Sequence, residues 1–377
     1  MKITILTFQG SHNYGAILQA HALQSHLEDC GHEAGFLNFV PDYVVRHNLK
    51  IPPVKNLKSL VLNIVLIPFR KKLKKRYERF ESYRRNHLKT SRLYETIKQI
   101  QDDPPDPDVF VVGSDQVWNM ERGGDPYFFL QFLKVQDESL TKPVIAYAPS
   151  FGTGHVPAEY EDRFKDWAKV FDFVSVRESS GKILAEKLLD REVPQVLDPV
   201  FLHDRHFWEK AACPRPLAGP YIAFYSLEAT GKVSECLLKM AKHLKMPVVV
   251  LGKPGPFMLK CRTRVAVDAG PSEFLGWIRH AAFVVTNSFH ATAFSAVFEV
   301  PFMTVSHSTR NARMESLLKL LGQESRIVHQ PGDLTDERME TLVESSSSET
   351  SALLQEAVDQ SKTYLSDSLA KAGEMIH

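Results

Sequence analysis

The chain begins with the stretch MKITILTFQGSHNYGAILQAHALQSHLEDCG, residues 1–31. Residues 3–8 are mostly apolar or β-branched, residues 9–15 carry two glycines, and the apolar residues of 16–29 recur at helical spacing. Gly31 follows the predicted helix, at the position where a glycine commonly ends one. A strand, a glycine turn and a helix in this order predict the first unit of a parallel sheet with covering helices.

The same alternation of strand and helix runs through most of the chain. It predicts strands at residues 35–40, 109–112, 143–147, 173–176, 196–198, 221–226, 247–251, 282–286 and 302–305. Residues 203–220 carry three prolines and predict an irregular domain junction. The sequence therefore predicts an α/β protein with two Rossmann-like domains facing a cleft, at 1–205 and 216–330, and a C-terminal helical segment at 331–377. By analogy of fold, this is the architecture of glycosyltransferase-B-type enzymes.

The composition predicts an ordinary globular protein. Of the 377 residues, 44% are hydrophobic and 24% are charged. Lys and Arg number 46 against 45 Asp and Glu, so no excess of positive charge points to nucleic acid. The four cysteines form no Cys-x-x-Cys pair and lack metal-ligand spacing with histidine. They are expected as reduced packing residues, with a single disulfide as the alternative, and no metal site is expected.

Two neighbouring segments bear on localisation. The N-terminal apolar run is too short for a signal peptide, which predicts a cytoplasmic protein. Residues 60–69 are the longest lipid-like run, about half of the ~20 residues that span a bilayer. Residues 70–92 carry eleven Lys and Arg against two Glu, with apolar residues at helical spacing. Together, residues 60–92 predict either peripheral docking on the inner face of an anionic membrane or a solvated helix that packs its apolar stripe on the first domain.

Candidate site residues follow the predicted strands, because ligands of open α/β sheets bind beyond the carboxyl ends of strands. The first turn offers Asn13, Tyr14 and Gly15. Glycine lets the backbone approach a ligand, and the helix N-terminus favours an anion or a polar group. The alternative is that the glycines only form the turn.

The stretch GSDQVWN at residues 113–119 follows another predicted strand. Asp115 is a candidate base for a sugar hydroxyl. The alternative is that Ser114 or Asp115 caps the next helix. The polar and aromatic side chains that we expect at this strand end are Ser114, Asp115, Gln116, Trp118 and Asn119.

Arg177 follows the predicted strand at 173–176. A guanidinium there suits a carboxylate or a phosphate, because it binds bidentately and keeps its charge. An ion pair with Glu178 or with a more distant carboxylate is the alternative. Arg310 and Arg313, in a loop before a predicted helix, either add positive charge to the same cleft or are solvated surface residues.

His290 lies between the predicted strand at 282–286 and a helix. Histidine gives or takes a proton near neutral pH. Asn287 and Ser288 make the strand end polar, which favours a functional histidine. A core histidine bonded to the backbone is the alternative.

Taken together, these segments resemble the polysaccharide pyruvyl transferase family. The most specific match is GSDQVWN. In family order the matching stretches are GSHNYGAILQA at 10–20, VGSDQVWN at 112–119, SVRE at 175–178, LDPV at 197–200 and NSFHAT at 287–292.

The resemblance implies transfer of a pyruvyl group from phosphoenolpyruvate to a sugar diol, which forms a cyclic ketal. It implies Arg177 and His290 in the donor site, and a first domain that holds the acceptor, a sugar or a lipid-linked oligosaccharide. No cofactor is implied besides phosphoenolpyruvate as donor substrate. In this reaction the donor's methylene carbon takes a proton, one hydroxyl attacks the adjacent carbon, phosphate leaves and a second hydroxyl closes the ketal.

The chain departs from some members at one point. They carry Arg-Leu-His where this chain has Ser288-Phe289-His290, whereas others carry Asp-Ser-Phe-His-Gly-Thr, which this chain nearly matches. Either the missing charge comes from elsewhere or the donor is bound differently. Two alternatives of other classes are a nucleotide-sugar glycosyltransferase of the same architecture and a non-catalytic glycan-binding relative. The residues expected to supply the charge are Lys253, Arg310 or Arg313.

Overall fold

The computed structural model describes most of the chain. Two predicted site residues, Lys253 and Arg310, and the apolar run at 60–69 lie outside the described part. The described residues are 1–40, 44, 48, 70–121, 123–133, 142–228, 230–252, 256–306, 311–344 and 348–376.

The first domain is built on a six-stranded parallel sheet in the order β3-β2-β1-β4-β5-β6. Its central strand β4 reads VFVV and is buried throughout, as expected where helices cover both faces of a parallel sheet. The strands are β1 (Lys2–Leu6), β2 (Glu33–Asn38), β3 (Thr90–Leu93), β4 (Val109–Val112), β5 (Val144–Ala146) and β6 (Phe173–Val174). The helices are α1 (Tyr14–Asp29), α2 (Arg70–His87), α3 (Ile97–Asp102), α4 (Ala158–Ala168) and α5 (Ser179–Leu189).

The second domain repeats this plan with a six-stranded parallel sheet in the order β12-β11-β10-β7-β8-β9. Counted within each domain, both sheets follow the doubly wound order 3-2-1-4-5-6. The strands are β7 (Ile222–Tyr225), β8 (Val248–Val250), β9 (Thr263–Val265), β10 (Phe283–Thr286), β11 (Phe302–Val305) and β12 (Ile327–Val328). The remaining helices are α6 (Arg205–Ala211), α7 (Gly231–Leu244), α8 (Pro271–Arg279), α9 (Phe289–Val297), α10 (Ala312–Leu320), α11 (Asp336–Val343) and α12 (Ser348–Met375).

The C-terminal segment is helical, and α12 packs back on the first domain. Leu365 and Leu369 are buried in the core that also contains the first strand and first helix. The hydroxyl of Ser361 accepts a hydrogen bond from the backbone N–H of Leu197 at 2.9 Å. The last helix, although it follows the second domain in the sequence, therefore packs on the first domain.

Two sequence-based expectations were wrong near the domain junction. Residues 196–198 form no strand, because Asp198 caps a 3₁₀ turn at Pro199–Leu202 and accepts a hydrogen bond from the N–H of Val200. The expected irregular junction contains α6, which begins where the side chain of Asp204 accepts a hydrogen bond from the N–H of Phe207. The prolines all lie beyond this helix.

The basic helix α2 joins the two domains. Phe80 and Tyr83 of its apolar stripe are buried in the core, as the solvated-helix alternative predicted. The helix also contacts the second domain. There Arg79 forms ion pairs with Asp268 at 3.2 Å and with Glu273 at 3.0 Å. At least one cation of this helix is thus neutralised by carboxylates of the second domain.

The four cysteines are free thiols. None of the described helices is long and apolar enough to cross a membrane.

Candidate active site

A buried ion pair forms the centre of the candidate site. Arg177 follows β6, and its Nη1 lies 2.6 Å from Oδ2 of Asp198. The hydroxyl of Ser114, which follows β4, donates to the same oxygen at 3.0 Å. Arg177 and Asp198 are only 3% and 1% exposed. The ends of two strands of the first sheet therefore meet at Asp198, and the ion-pair alternative for Arg177 holds with a distant carboxylate.

The second domain reaches this ion pair through His290. This residue opens α9 immediately beyond β10, and its Nε2 lies 3.4 Å from Oδ2 of Asp198. The backbone of Gly15 lies directly against the imidazole ring. The carboxyl ends of the strands of both sheets thus face each other across Asp198.

The pKa of Asp198 reflects these neighbours. Burial opposes ionisation, but the charges and hydrogen bonds of His290 and Arg177 outweigh it and lower the pKa below its ordinary value of 3.8. Asp198 is therefore a permanent carboxylate at the point where the two domains meet.

Two further carboxylates and an aromatic ring surround Arg177. Nη2 lies 3.9 Å from Oδ1 of Asp115, and Nε lies 3.8 Å from Oε2 of Glu178. The guanidinium carbon stands 4.3 Å from the ring centroid of Phe289. Nε and Nη2 are buried without a hydrogen-bond partner within the described part of the chain. Two N–H groups of one buried cation therefore make no hydrogen bond, although carboxylates stand just beyond hydrogen-bond distance of both.

Glu178 differs from Asp198 in the direction in which its pKa is moved. Its Oε1 accepts hydrogen bonds from the hydroxyl of Ser150 at 2.8 Å and from the N–H of Phe151 at 3.2 Å. Burial raises the pKa of Glu178 above 4.5, and Arg177 and Arg313 only partly offset this. Two neighbouring carboxyl groups thus have pKa values moved in opposite directions, which is a pattern of acid–base sites.

Comparison with known proteins identifies the family. The model of the family described as polysaccharide pyruvyl transferase matches residues 13–309. The chain belongs to the polysaccharide pyruvyl transferase family. Among curated proteins there is no significant match. Because residues 13–309 include Ser114, Arg177, Asp198 and His290, the cluster around Asp198 lies inside the region that the family shares.

The solved structure of Os79 supports the glycosyltransferase-B fold of this family member. Os79 from O. sativa in complex with UDP is 11% identical with a TM-score of 0.51, covering 99% of this chain and 100% of that one. The glycosyltransferase SnogD from Streptomyces nogalater is 16% identical with a TM-score of 0.47, covering 100% and 98%. At this identity the likeness to Os79 concerns the fold alone.

Several predicted site residues of this pyruvyl transferase family member have structural contacts. Trp118 is fully buried among aromatic rings, including Phe129 and Phe164. Tyr14 stacks on Phe274 of the second domain at 4.4 Å and donates to the carbonyl of Ala269 at 2.8 Å. Trp118 therefore lies in the core, and Tyr14 lies at the domain interface.

The polar candidates of the two turns are engaged by the backbone. Asn13 caps α1 by accepting from the N–H of Gly15 at 3.0 Å. Asn287 accepts from the N–H of Leu227 at 2.8 Å and donates to the carbonyl of Glu228 at 3.0 Å. These asparagines fix the two loops that bring α1 and α9 together.

The GSDQVWN stretch presents the remaining candidates. Asp115 has a φ of 72°, a left-handed conformation that is uncommon for a residue with a side chain. The amide of Asn119 donates to Oε1 of Gln116 at 3.2 Å, and both residues are partly exposed. Asp115 does not cap an α-helix, because no helix follows β4 directly.

At the other strand end, Ser288 is buried just before α9. Arg313 lies within α10 rather than before it, because the carbonyl of Asn311 already accepts the N–H of Met314 and of Glu315. The influence of Arg313 on Glu178 places its charge beside the cluster.

Two residues of the cluster were not predicted as site residues. From the sequence, Asp198 was expected only at the end of the predicted strand at 196–198 and in the LDPV stretch, and Glu178 only in the SVRE stretch and as an ion-pair partner of Arg177. An Asp-Pro pair after a buried apolar residue is a usable signal, since proline suits the first position of a helical turn and the preceding Asp caps that turn, which fixes its carboxylate in place. Among the described residues, no group of three or more His, Cys, Asp or Glu is arranged to hold a metal ion.

Proposed function

We propose that this chain transfers the pyruvyl group of phosphoenolpyruvate to two hydroxyls of a sugar, in a polysaccharide or glycolipid precursor, and closes a cyclic ketal. The observation that carries the proposal is the buried guanidinium of Arg177, which has two unpartnered N–H edges where both domains meet. A buried donor without a partner costs about 1–3 kcal/mol. Carboxylate or phosphate oxygens of the donor would satisfy both edges.

His290 and Asp115 complete the proposed chemistry. His290 contacts the donor phosphate or transfers a proton to it as it leaves. Asp115 takes the proton of the attacking hydroxyl. Ser114, Gln116 and Asn119 lie on the first domain near Asp115 and hold the acceptor.

The donor site needs more positive charge than Arg177 provides. Asp198 already neutralises that guanidinium. Arg313 is the described cation that acts on the cluster, through Glu178. Lys253 and Arg310 are the other candidates, and we propose that one of the three replaces the arginine that some members carry at the position of Ser288.

Substrate entry requires the domains to separate. Arg177 and His290 are 3% and 8% exposed, so a donor cannot reach them in the closed arrangement. Closure after binding would exclude water and strengthen every charge interaction in the site.

The test is the thermal midpoint with and without phosphoenolpyruvate, alongside nucleotide sugars. A ligand at 100 times its dissociation constant stabilises the native state by about 2.7 kcal/mol, a shift of several degrees. We expect this shift with phosphoenolpyruvate and its loss in Arg177→Lys, which keeps the positive charge but lacks the planar guanidinium that binds an anion through two N–H groups. Arg191→Lys, on the surface of the same domain, should keep it. A shift with nucleotide sugars alone would contradict the proposal and favour a glycosyltransferase.

Peripheral membrane contact through residues 60–92 is a second part of the proposal. Arg70, Lys71, Lys74 and Lys75 are exposed on the first two turns of α2. Such clusters bind anionic lipid at about 1 kcal/mol per residue near the surface. A lipid-linked acceptor would then lie close to the enzyme.

Sedimentation with vesicles tests this contact. We expect binding to vesicles that contain phosphatidylserine and not to neutral ones, and its loss in the double variant Lys71→Glu, Lys75→Glu. The double variant Lys165→Glu, Lys169→Glu on α4 makes the same change elsewhere. Equal sedimentation with both kinds of vesicle would exclude an electrostatic membrane contact.

A further inference from the structure

Glu178 has one oxygen that is fully used and one that is not. Oε1 accepts the hydrogen bonds from Ser150 and from the N–H of Phe151. Oε2 is buried, has no hydrogen-bond partner within the described residues and lies 3.8 Å from Nε of Arg177. Because both donated hydrogen bonds go to Oε1, a proton on the carboxyl group belongs on Oε2.

Repulsion among the carboxyl groups around Arg177 favours such a proton, whereas the guanidinium itself opposes it. Three carboxyl groups, from Asp115, Glu178 and Asp198, lie within 3.9 Å of one guanidinium. If all three were ionised, they would repel a donor that itself carries a carboxylate and a phosphate. Asp198 is held ionised by Arg177 and His290, whereas burial raises the pKa of Glu178. Of the two buried carboxyl groups, Glu178 is therefore the one whose pKa is moved in the direction that favours a proton.

Resting on the pyruvyl transfer proposed above, we propose that Glu178 is the catalytic acid that protonates the methylene carbon of the donor. Its Oε2 stands beside the guanidinium edge that is open to the donor's anionic groups. A donor held on that edge would have its reacting double bond next to Oε2.

The step balances as follows. The electron pair of the donor's carbon–carbon double bond takes the proton from Oε2, which makes the methyl group and leaves Glu178 as a carboxylate. The adjacent carbon becomes electrophilic and bonds to the first hydroxyl oxygen, whose proton passes to Asp115 and then to the departing phosphate. Phosphate leaves with the bonding electron pair. The second hydroxyl closes the ketal, and its proton restores Glu178.

A purely structural Glu178 is the competing explanation, since its two accepted hydrogen bonds hold the loop after β5 on α5. Glu178→Gln separates the two, because the amide oxygen can still accept both hydrogen bonds while the acidic proton is lost. We expect kcat for phosphate release to fall by about 10²–10⁴-fold. The thermal shift with phosphoenolpyruvate should persist. Glu192→Gln, an exposed position of the same domain, should leave kcat unchanged.

The pH profile gives a readout that a structural role would not move. With phosphoenolpyruvate and a panel of methyl hexopyranosides, wild-type kcat should decline as pH rises through the pKa of Glu178, because the acid must be protonated. Glu178→Gln should lack that decline. If Glu178→Gln does not fold, Glu178→Asp, which keeps an acid on a shorter side chain, should lower kcat and keep the decline.

Two outcomes overturn the assignment in distinguishable ways. A Glu178→Gln variant with kcat within about threefold of wild type and the same pH profile makes Glu178 structural while pyruvyl transfer stands. In D₂O, pyruvyl transfer should give a product whose methyl group carries one deuterium. If the wild-type enzyme forms no such product, the proposed function is wrong, and so is the assignment of Glu178.

Discussion

His290 of the second domain packs directly on the backbone of Gly15 in the first, with no room for a side chain between them. A methyl group on Gly15 would overlap the imidazole ring. This contact lies beside the cluster at Asp198, where His290 Nε2 is 3.4 Å from Oδ2. Glycine is therefore needed at residue 15 for the close approach of the two domains, and not for a special backbone angle.

Gly15→Ala should hold the domains apart. We expect kcat/KM to fall at least about tenfold and the free energy of unfolding to fall by about 1–3 kcal/mol, because a group is forced into a packed contact. Steady-state kinetics and urea unfolding measure the two effects. Gly231→Ala, at the start of α7, meets nothing within 4 Å and is the matched control. Unchanged kinetics in Gly15→Ala would mean that the closed contact is not part of turnover.

Asp198→Asn should be the most destabilising change in the cluster. It leaves the guanidinium of Arg177 without its 2.6 Å partner, and breaking a buried pair costs about 3–5 kcal/mol. Urea unfolding at neutral pH measures the loss. Asp162→Asn removes a carboxylate whose side chain is 101% exposed and should cost under about 0.5 kcal/mol.

The stability that the ion pair of Arg177 and Asp198 provides should depend on pH. The native pKa of Asp198 lies below 3.8, so its stabilising contribution is complete above that pH and is lost as the pH falls through the native pKa. Below pH 4 the difference in unfolding free energy between wild type and Asp198→Asn should therefore shrink. A difference that does not change with pH would contradict the ionised assignment.

Trp118→Phe should affect stability and not affinity. The ring of Trp118 is fully buried among phenylalanines, so truncation leaves a cavity and costs about 1–3 kcal/mol. Thermal-shift titration should give the same apparent affinity for phosphoenolpyruvate as wild type. Gln116→Ala, in the same stretch but partly exposed, should raise KM for the acceptor with little loss of stability. If Trp118→Phe instead weakens the binding of phosphoenolpyruvate and leaves stability unchanged, Trp118 belongs to the binding site.

Two histidines of α1, His21 and His26, should make the folded protein less stable in acid. Burial, and secondarily the charges of His87 and His203, lower the pKa of His21 from 6.5 to about 3, and burial followed by His203 lowers that of His26 to about 4. Below pH 6.5 the unfolded chain binds protons that the native state does not. The stabilising contribution of the neutral histidines is therefore complete above pH 6.5. As the pH falls toward 4, the free energy of unfolding declines by up to about 1.4 kcal/mol per pH unit for each histidine.

Urea unfolding between pH 4 and pH 7 measures that decline. His21→Gln should reduce its slope, while His155→Gln, at an exposed position, should leave it unchanged. A slope that is the same in all three proteins would exclude His21 as its source.

The sequence predicted the elements that carry the site to within a few residues. Strand β4 was predicted at its observed bounds, and α1 was predicted near its own, because buried parallel strands and amphipathic helices leave strong local patterns. Short and exposed elements were missed, such as β3 with its four exposed residues and β9. Their local pattern does not differ from that of a polar loop.

By itself, the sequence determined the alternation of strands and helices in two Rossmann-like domains, the strand ends where polar residues accumulate and the resemblance that the family model confirms. Only the tertiary structure decided which of those residues meet. It paired Arg177 with Asp198, placed Trp118 in the core and set His290 against Gly15. The physical reason is that burial and charge at a side chain are set by neighbours from distant segments and from the other domain, and a local pattern carries no record of them.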